Sequence, residues 1–452
     1  MTRKIILAVL TAAGMLYFTQ YTIPAQAAGK QNPPPNFPAM DPITKEDRIL
    51  VFAPHPDDET LGAGGMIQEA VRAGAEARVL YLTNGEHNQL AFIVYEKWLV
   101  IKQKALIEMG KMRQREAAAA MKLLGLPEEN LIFMGYPDFG SLMIFLRYWG
   151  ETRPFKNMLT RISNVPYDNA LSPNAPYKGE AILWDVESVL RKFRPTRIFV
   201  TNPVDTNRDH RAAYLFLQVA LWNLKGQIPD PQVYPYVIHC YGWPKPRNYR
   251  PYLYLDAPKL LEHSQIRWVW RELTTEEVSN KHRAILLYRS QCSDAASYLV
   301  SFARKNELFG TYPVIDLTDE TKEDAFSAAA AFREKTVVYG KTDGKLLINV
   351  FIKKEPGPNS RFYVNLAGYN PDIEFAQMPK IKINVDGDNV SVLNRGKYIK
   401  VKGLETTQKR HYVSLKVPIE ILRDPQYVLA SVNTHMDNFA SDLNAWRVIK
   451  LK

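Results

Sequence analysis

Through residue 300 the chain alternates short apolar runs with longer stretches of helical periodicity. Helical periodicity covers 65–73 and 96–124, and Gly125 ends the second stretch. Strands that alternate with helices predict an α/β fold: a Rossmann-like parallel sheet with helices on both faces. The apolar runs, each about the length of one buried strand, are 49–53, 77–82, 130–134 and 197–200.

The pattern changes after Glu334, where apolar runs become shorter and more closely spaced. Asp343-Gly344, Asp386-Gly387 and Asn394-Arg395-Gly396 supply turn residues between them. Short strands separated by turns predict an all-β, sandwich-like accessory domain over residues 336–452. The expected strands are 346–352, 362–366, 381–385, 412–417 and 446–449.

The N-terminal residues have the composition of an export signal. Met1–Lys4 is basic, 5–18 is almost entirely apolar, and Ala25-Gln26-Ala27 provides small residues at a cleavage position. We therefore expect a signal peptide at 1–27 and a secreted or cell-surface protein, with an uncleaved membrane anchor as the alternative. Residues 28–46 are proline-rich and polar, which is typical of a linker. The first folded domain is then expected at 47–330.

Charge and cysteine content narrow the range of partners. The chain has 58 Lys and Arg against 47 Asp and Glu, a formal charge of +11, which falls to +9 without residues 1–27. The basic residues are scattered and match no nucleic-acid module, so no nucleic-acid partner is expected. Cys240 and Cys292 would either form one disulfide in an oxidising compartment or remain two free thiols.

The residues that point to chemistry directly follow the first predicted strand. His55, Asp57 and Asp58 lie within four positions, where α/β proteins bind ligands. Imidazole and carboxylate suit a divalent metal such as Zn²⁺, and a catalytic site needs about three protein ligands and an open position. His55 and one aspartate would be two of these ligands. The other aspartate would take a proton from water that the metal activates. A solvated acidic loop is the alternative.

A third ligand is expected after the fourth predicted strand. Residues 205–210 (Asp-Thr-Asn-Arg-Asp-His) follow that strand and reach the same edge of the sheet. His210 is the best candidate in this segment. The segment also suits a helix start capped by Asn207 or Asp209, and the two interpretations are compatible.

These motifs resemble those of a known family. Residues 54–59 (Pro-His-Pro-Asp-Asp-Glu) and Asp209-His210 resemble the PIG-L/LmbE-type metal-dependent N-acetylglucosamine deacetylases. The resemblance spans about residues 47–300 and does not reach the β-rich region. Weaker blocks similar to the same family lie at 83–86, 113–116, 135–138 and 288–291.

The resemblance implies a role for each residue of the motif. His55, Asp58 and His210 would bind Zn²⁺, with Fe²⁺ or another divalent metal possible in their place, and Asp57 would be the general base. The expected activity is a secreted zinc-dependent N-deacetylase that releases acetate from an amino sugar in a glycan, glycolipid or glycoconjugate. The alternatives are an amidase of another acyl or thiol-conjugate amide and an inactive carbohydrate-binding relative.

One position departs from the family pattern. Some members carry a histidine three residues before the last metal ligand, where this chain has Asn207. The Asn207 amide could still donate a hydrogen bond to the substrate or transition state, but it cannot donate a proton as an acid near neutral pH. Protonated Asp57 or, as a second choice, His239 would then protonate the leaving amine.

Two further residues are candidates for contact with the substrate. Asp138 ends the third predicted strand and would bind sugar hydroxyls at the predicted cleft. Arg113 would either contact the substrate or form a surface pair with Glu116. The β-rich domain would hold the enzyme on a cell-wall or polysaccharide surface.

Overall fold

The computed structural model describes residues 32–87, 103–262, 264–320, 336–351, 361–409, 412–434 and 445–452. The predicted signal peptide at 1–27 and the start of the second predicted helix lie outside these residues. Among the described helices, none combines the length and the apolar composition needed to cross a bilayer.

The central sheet has five parallel strands in the order β3-β2-β1-β4-β5. The β1 strand lies in the middle, pairing Val51 with Val79 on one side and with Phe199 on the other. This order is that of a Rossmann-like half, which confirms the predicted fold class. The strands are β1 (Arg48–Ala53), β2 (Glu76–Thr83), β3 (Leu131–Tyr136), β4 (Arg197–Thr201) and β5 (Gln232–Tyr236).

Helices cover both faces of this sheet. Ile49 and Val51 of β1 face a core shared with α1, α2 and α6, whereas Leu50 and Phe52 face a core shared with α3, α4 and α5. Both faces are buried, which explains why each strand reads as a continuous apolar run. The helices are α1 (Asp58–Ala73), α2 (Gln103–Leu123), α3 (Ser141–Arg147), α4 (Gly179–Phe193), α5 (Arg208–Asn223), α6 (Thr275–Ile285) and α7 (Arg289–Leu299). An antiparallel pair, β6 (Arg267–Glu272) and β7 (Asn306–Thr311), completes this part.

The C-terminal part contains two mostly antiparallel sheets, with strand orders β15-β16-β10-β9 and β14-β13-β12-β11-β17-β18-β8. Side chains from both sheets, such as Ile348 and Val364, share one buried apolar core. This confirms the predicted sandwich-like arrangement. The strands are β8 (Ile315–Asp316), β9 (Thr336–Thr342), β10 (Lys345–Phe351), β11 (Arg361–Tyr369), β12 (Lys380–Asp386), β13 (Asn389–Asn394), β14 (Lys397–Ile399), β15 (Glu405–Lys409), β16 (Tyr412–Pro418), β17 (Tyr427–Thr434) and β18 (Arg447–Lys450).

The two sheet systems share a second apolar core. Phe375 and Trp446, from the C-terminal part, pack against Phe145 of α3 with ring centroids 5.7 and 6.3 Å apart. Phe375 also meets Trp149 edge-on at 5.1 Å. Aromatic burial of this kind is a major source of stability. The C-terminal part is therefore fixed to the outer face of the α/β part.

Several elements differ from the sequence-based expectation. The α1 helix begins at Asp58, well before the predicted start at Gly65, because the acidic motif itself forms the first helical turn. Within the predicted linker, Met40 and Ile43 are buried in the core, and the Met40 amide donates to the Trp270 carbonyl (2.8 Å). The strands that were not predicted are β5, β6, β7, β8, β9, β13, β14, β15 and β17.

Candidate metal centre

The acidic motif sits where the chain turns from strand β1 into helix α1. Asp57 is the N-cap of this helix, and its φ of 133° is far from the conformations that side chains ordinarily allow. Its amide donates to Glu59 Oε2 (3.0 Å). Asp58 and Glu59 occupy the first helical turn, where the helix dipole stabilises negative charge. The turn therefore fixes the motif at the carboxyl end of the central strand.

The structure brings the three predicted metal ligands together. Asp58 Oδ2 lies 3.1 Å from both His55 Nδ1 and His210 Nε2. These three atoms all lie within 4.8 Å of one another, and all three residues are buried. Two imidazole nitrogens and one carboxylate oxygen form the donor set expected for a catalytic Zn²⁺ or Fe²⁺ site.

The second nitrogen of each histidine faces its own carboxylate. His55 Nε2 lies 3.1 Å from Asp138 Oδ1, and His210 Nδ1 lies 3.1 Å from Asp205 Oδ2. Carboxylates in these positions fix the orientation of metal-binding histidines. Neither nitrogen of the buried His210 ring makes a well-aligned hydrogen bond within the described part of the chain. A divalent ion beside Asp58 would satisfy Nε2, so the residues fit a metal.

A second group of ligand atoms involves the other side of His55. His55 Nε2, Asp138 and Asp209 also lie within 4.8 Å of one another. However, both oxygens of each carboxylate accept backbone hydrogen bonds: Asp138 from His87 (2.9 Å) and Phe139 (2.9 Å), and Asp209 from Phe139 (2.6 Å) and Ser141 (3.0 Å). Within the described residues, Asp58 accepts a backbone hydrogen bond at one oxygen only, from His55 (3.0 Å). We therefore assign this group to the support of His55 and the first group to the metal.

Asp57 lies beside the candidate ligands but is not one of them. Burial raises the pKa of its carboxyl group to about 7, and the neighbouring charge of Asp58 contributes. The Arg113 guanidinium, 3.4 Å from Asp57 Oδ2, opposes this shift. A carboxyl group with a pKa near neutrality is suited to proton transfer.

Arg113 is a buried part of the site. Its guanidinium donates to the carbonyls of Gly85 (2.9 Å) and Pro56 (2.6 Å), and 4% of the residue is exposed. The alternative of a surface pair with Glu116 is wrong, because Glu116 accepts hydrogen bonds from Ser290 instead. Arg113 therefore fixes the loop before α1 and places a positive charge beside the Asp57 carboxyl group.

The candidate ligands have strongly perturbed pKa values. Burial opposes protonation of His210, but Asp205 and Asp58 outweigh it and raise its pKa to about 9. The pKa of His55 is also raised, because Asp138, Asp209 and Asp58 outweigh burial. Burial acts to raise the pKa of Asp58, but His210 and His55 more than compensate and lower it. The charge of these carboxylates therefore favours a cation here, either protons or a metal ion.

The remaining predicted residues surround the same centre. Asn207 caps helix α5, since its side chain accepts from the Asp209 amide (2.8 Å). The His239 ring lies next to the His210 ring, with centroids 4.8 Å apart, and burial lowers the pKa of His239. A cavity of about 440 Å³ opens beside the centre. Its lining residues are Phe139, Thr206, Asn207, Arg208 and His239.

Three acidic residues of the site were assigned no role toward the metal ligands from the sequence. Asp205 orients His210 and accepts from the His239 amide (2.8 Å). Asp209 lies 3.6 Å from His55 Nε2, and Glu86 accepts from the Asp138 amide (3.2 Å). Their position just after strands β2 and β4 could have indicated a role in the site, since α/β proteins bind their ligands at that edge of the sheet.

The weaker sequence blocks also meet at this edge of the sheet. Tyr288 donates a hydrogen bond to Glu59, and Thr83 Oγ1 donates to the Pro54 carbonyl (3.0 Å). Glu59 is buried and its pKa is raised by that burial. These contacts fix the backbone and the Glu59 side chain of the acidic motif. The weaker sequence blocks therefore help to position the candidate ligands.

The two cysteines are both free: Cys240 is buried and Cys292 is half-buried.

Comparison with known proteins gives one family and several partial relatives. Residues 50–221 match the family described as PIG-L, GlcNAc-PI de-N-acetylase. A 1D-myo-inositol 2-acetamido-2-deoxy-alpha-D-glucopyranoside deacetylase of Mycobacterium avium is 36% identical over 86 residues, which is 19% of this chain and 28% of that protein. The match thus covers little more than a quarter of the relative.

Solved structures resemble the chain only in part. The N,N'-diacetylchitobiose deacetylase from Pyrococcus horikoshii is 17% identical, with 57% of this chain and 76% of that chain covered and a TM-score of 0.35. The 4-carboxy-2-hydroxymuconate hydratase from Pseudomonas putida is 16% identical, with 61% of this chain and 99% of that chain covered and a TM-score of 0.33.

Proposed function

Because residues 50–221 match the PIG-L family, we propose that this protein is a metal-dependent N-deacetylase of amino sugars. The observation that carries the proposal is the buried ligand group His55, Asp58 and His210 with a spare carboxylate, Asp57, beside it. A site that only bound a metal would not require a second, partly protonated carboxylate at the same place.

The residues divide the reaction between them. His55, Asp58 and His210 would hold Zn²⁺ or Fe²⁺, which supplies Lewis-acid polarisation of water and of the acetamide carbonyl. Asp57 accepts the proton of the attacking water and donates it to the leaving amine, so that acetate and a free amine are formed. Asp57 is better suited to the second step than His239, because burial lowers the pKa of His239.

The proposed substrate is an N-acetylated sugar within a glycan, glycolipid or glycoconjugate. The family description and the name of the Mycobacterium avium relative both support an acetylated glucosamine unit. Asp138 holds His55 and accepts backbone hydrogen bonds. Its proposed role is therefore to position a ligand rather than to bind sugar hydroxyls. The C-terminal part is proposed to contact the surrounding polymer or cell surface.

We also propose that the protein acts outside the cytoplasm. The basic, apolar and small-residue order of residues 1–27 supports export. Mass spectrometry of the protein recovered from the culture fluid and from the membrane fraction tests this. A chain that begins after Ala27 supports cleavage, a full chain in the membrane supports an anchor, and a full chain in the cytoplasm rejects export.

The catalytic proposal is tested by acetate release from N-acetylated glucosamine oligosaccharides. Purified protein is measured with and without chelator, beside the Asp57→Asn variant, while bound metal is determined in each sample. We expect metal-dependent release of acetate that falls by roughly 10²- to 10⁴-fold in Asp57→Asn, with metal content unchanged.

Other results of this assay would indicate one of the alternative functions or reject the mechanism. Hydrolysis of different amides without acetate release would indicate an amidase of another acyl group. Sugar binding without turnover would indicate a carbohydrate-binding relative. Full activity of Asp57→Asn, or full activity in metal-free protein, would reject the proposed mechanism.

A further inference from the structure

Phe139 combines two features that a folded protein ordinarily avoids. Its side chain is 60% exposed, so much of the apolar ring stays in contact with water. Its φ is 56°, in the left-handed region that glycine adopts readily and that other residues rarely adopt. Strained backbone of this kind persists where the surroundings enforce it, and it is concentrated at functional sites.

The backbone of Phe139 is tied to the candidate metal centre. Its amide N–H lies within hydrogen-bonding distance of Asp209 Oδ2 (2.6 Å) and of Asp138 Oδ1 (2.9 Å). The same two carboxylates lie 3.6 and 3.1 Å from His55 Nε2. These hydrogen bonds therefore fix the backbone of Phe139 relative to His55.

The ring itself forms part of the cavity beside the centre. On one side it stacks on the buried His87, with centroids 6.0 Å apart and an interplanar angle of 11°. Elsewhere the cavity is lined by polar side chains, among them Asn207, Arg208 and His239. A flat apolar surface among polar groups matches a sugar ring, which has apolar C–H faces and a polar rim.

We propose that Phe139 is a substrate-binding residue on which the pyranose ring of the substrate stacks. It thereby selects cyclic sugar acetamides over small acyclic ones. This inference rests on the proposed deacetylase function and deepens it. Because Asp138 and Asp209 hold the Phe139 backbone beside His55, a sugar stacked on the ring would present its N-acetyl group to the candidate metal centre in one orientation.

The test compares Phe139→Gly and Phe139→Tyr with the unchanged protein. Glycine removes the ring and relieves the backbone, so Tm should stay level or rise. Arg161→Gly is the matched control, because Arg161 is exposed and has a similar φ of 57°. Acetate release is measured with N,N'-diacetylchitobiose and with N-acetylethanolamine, and binding of the disaccharide is measured in an Asp57→Asn background.

We expect Phe139→Gly to raise KM for the disaccharide roughly tenfold or more, with a much smaller loss for N-acetylethanolamine. Phe139→Tyr should keep KM within about threefold, since it keeps the ring. Disaccharide binding in the Asp57→Asn background should weaken with Phe139→Gly to the same degree as KM. Equal losses for both substrates, or unchanged disaccharide binding, would overturn the inference. Binding that depends on Phe139 in a protein that releases no acetate would reject the deacetylase function but retain the stacking role.

Discussion

The carboxyl end of the parallel sheet and the interior of the C-terminal sheets are equally buried but differ in what they bury. Leu415 and Ile348 lie among other aliphatic side chains in the C-terminal core. Asp58, Asp209 and His210 are buried to the same extent at the end of the parallel sheet. Buried ionisable groups are costly unless they are paired or bind a cation. The difference therefore supports placing the proposed chemistry at the end of the parallel sheet, whereas the C-terminal core contributes to the stability of the fold.

The C-terminal sheets also bury polar pairs that are neutral. In one such pair, the side chain of Asn365 donates to Ser431 Oγ (3.2 Å). At the end of the parallel sheet, several carboxylates instead surround two histidines. A neutral pair completes its own hydrogen bonds, whereas the carboxylate cluster favours added positive charge. This comparison leads to four predictions.

The largest effect is expected from His210→Ala. Loss of one imidazole ligand should remove stoichiometric metal and lower kcat/KM by roughly 10³-fold or more, because activation of water depends on the metal. Metal analysis and acetate release measure the two effects. His239→Ala is the matched control, since its ring contacts His210 but is not a proposed ligand; it should retain the metal. Full metal content in His210→Ala would reject the assigned ligand group.

Asp205→Asn should have the next largest effect. The carboxylate faces His210 Nδ1 at 3.1 Å, and loss of such a partner weakens metal binding by about 10- to 100-fold. Competition titration with a chelator measures the affinity. Asp185→Asn is the control, because this carboxylate accepts a hydrogen bond from Tyr136 instead (2.9 Å) and faces no candidate ligand. Equal affinities for Asp205→Asn and the unchanged protein would show that His210 does not need this support.

Arg113→Met should change the pH dependence of activity. The guanidinium lowers the pKa of Asp57, which burial raises to about 7. Its removal raises that pKa further, so less Asp57 is ionised below neutral pH and the general base is lost there. We expect a loss of roughly tenfold at pH 6 that disappears as the pH rises above 8, because one pKa unit is a factor of ten. Arg113→Lys keeps the positive charge and should therefore retain part of the activity that Arg113→Met loses at acidic pH.

A uniform loss at every pH in Arg113→Met would contradict this electrostatic role. It would indicate that the hydrogen bonds from Arg113 to Gly85 and Pro56 matter more than its charge.

The fold class could be predicted from the sequence for clear physical reasons, as could the meeting of the candidate ligands at one edge of the sheet, whereas the choice of Asp58 over Asp57 came from the family resemblance. Strands β1 to β4 are buried on both faces, so each leaves a continuous apolar run. His55 and Asp58 lie three positions apart in the chain, and His210 follows a neighbouring strand. Parallel strands bring such positions to one edge of the sheet.

The rest of the site depends on tertiary contacts that leave no local pattern. Arg113 is about three turns into helix α2, and only the packing of that helix brings it to Asp57. Phe139 appears as an ordinary apolar residue, because its φ and exposure are properties of the folded chain. Strand β5 was missed because Pro235 interrupts its pattern, although at the edge of the sheet a proline is tolerated.

The smallest effect on activity is expected from Leu415→Ala, in the core of the C-terminal sheets. Leu415 is fully buried in β16, so its truncation should lower the free energy of unfolding by about 2–5 kcal/mol. Denaturant titration measures this loss. Below the unfolding transition, kcat/KM and metal content should stay within twofold, because Leu415 contacts neither ligand nor cavity residues.

Phe375→Ala provides the comparison for Leu415→Ala. Phe375 is buried against Phe145 and Trp149 of the α/β part. Phe375→Ala should lower the free energy of unfolding by about 3–5 kcal/mol, an amount similar to that for Leu415→Ala. If Phe375→Ala lowers kcat/KM while Leu415→Ala does not, the shared aromatic core connects the C-terminal part to the site. If Leu415→Ala also lowers it at full metal content, the C-terminal sheets take part in catalysis, and the division between the two regions is wrong.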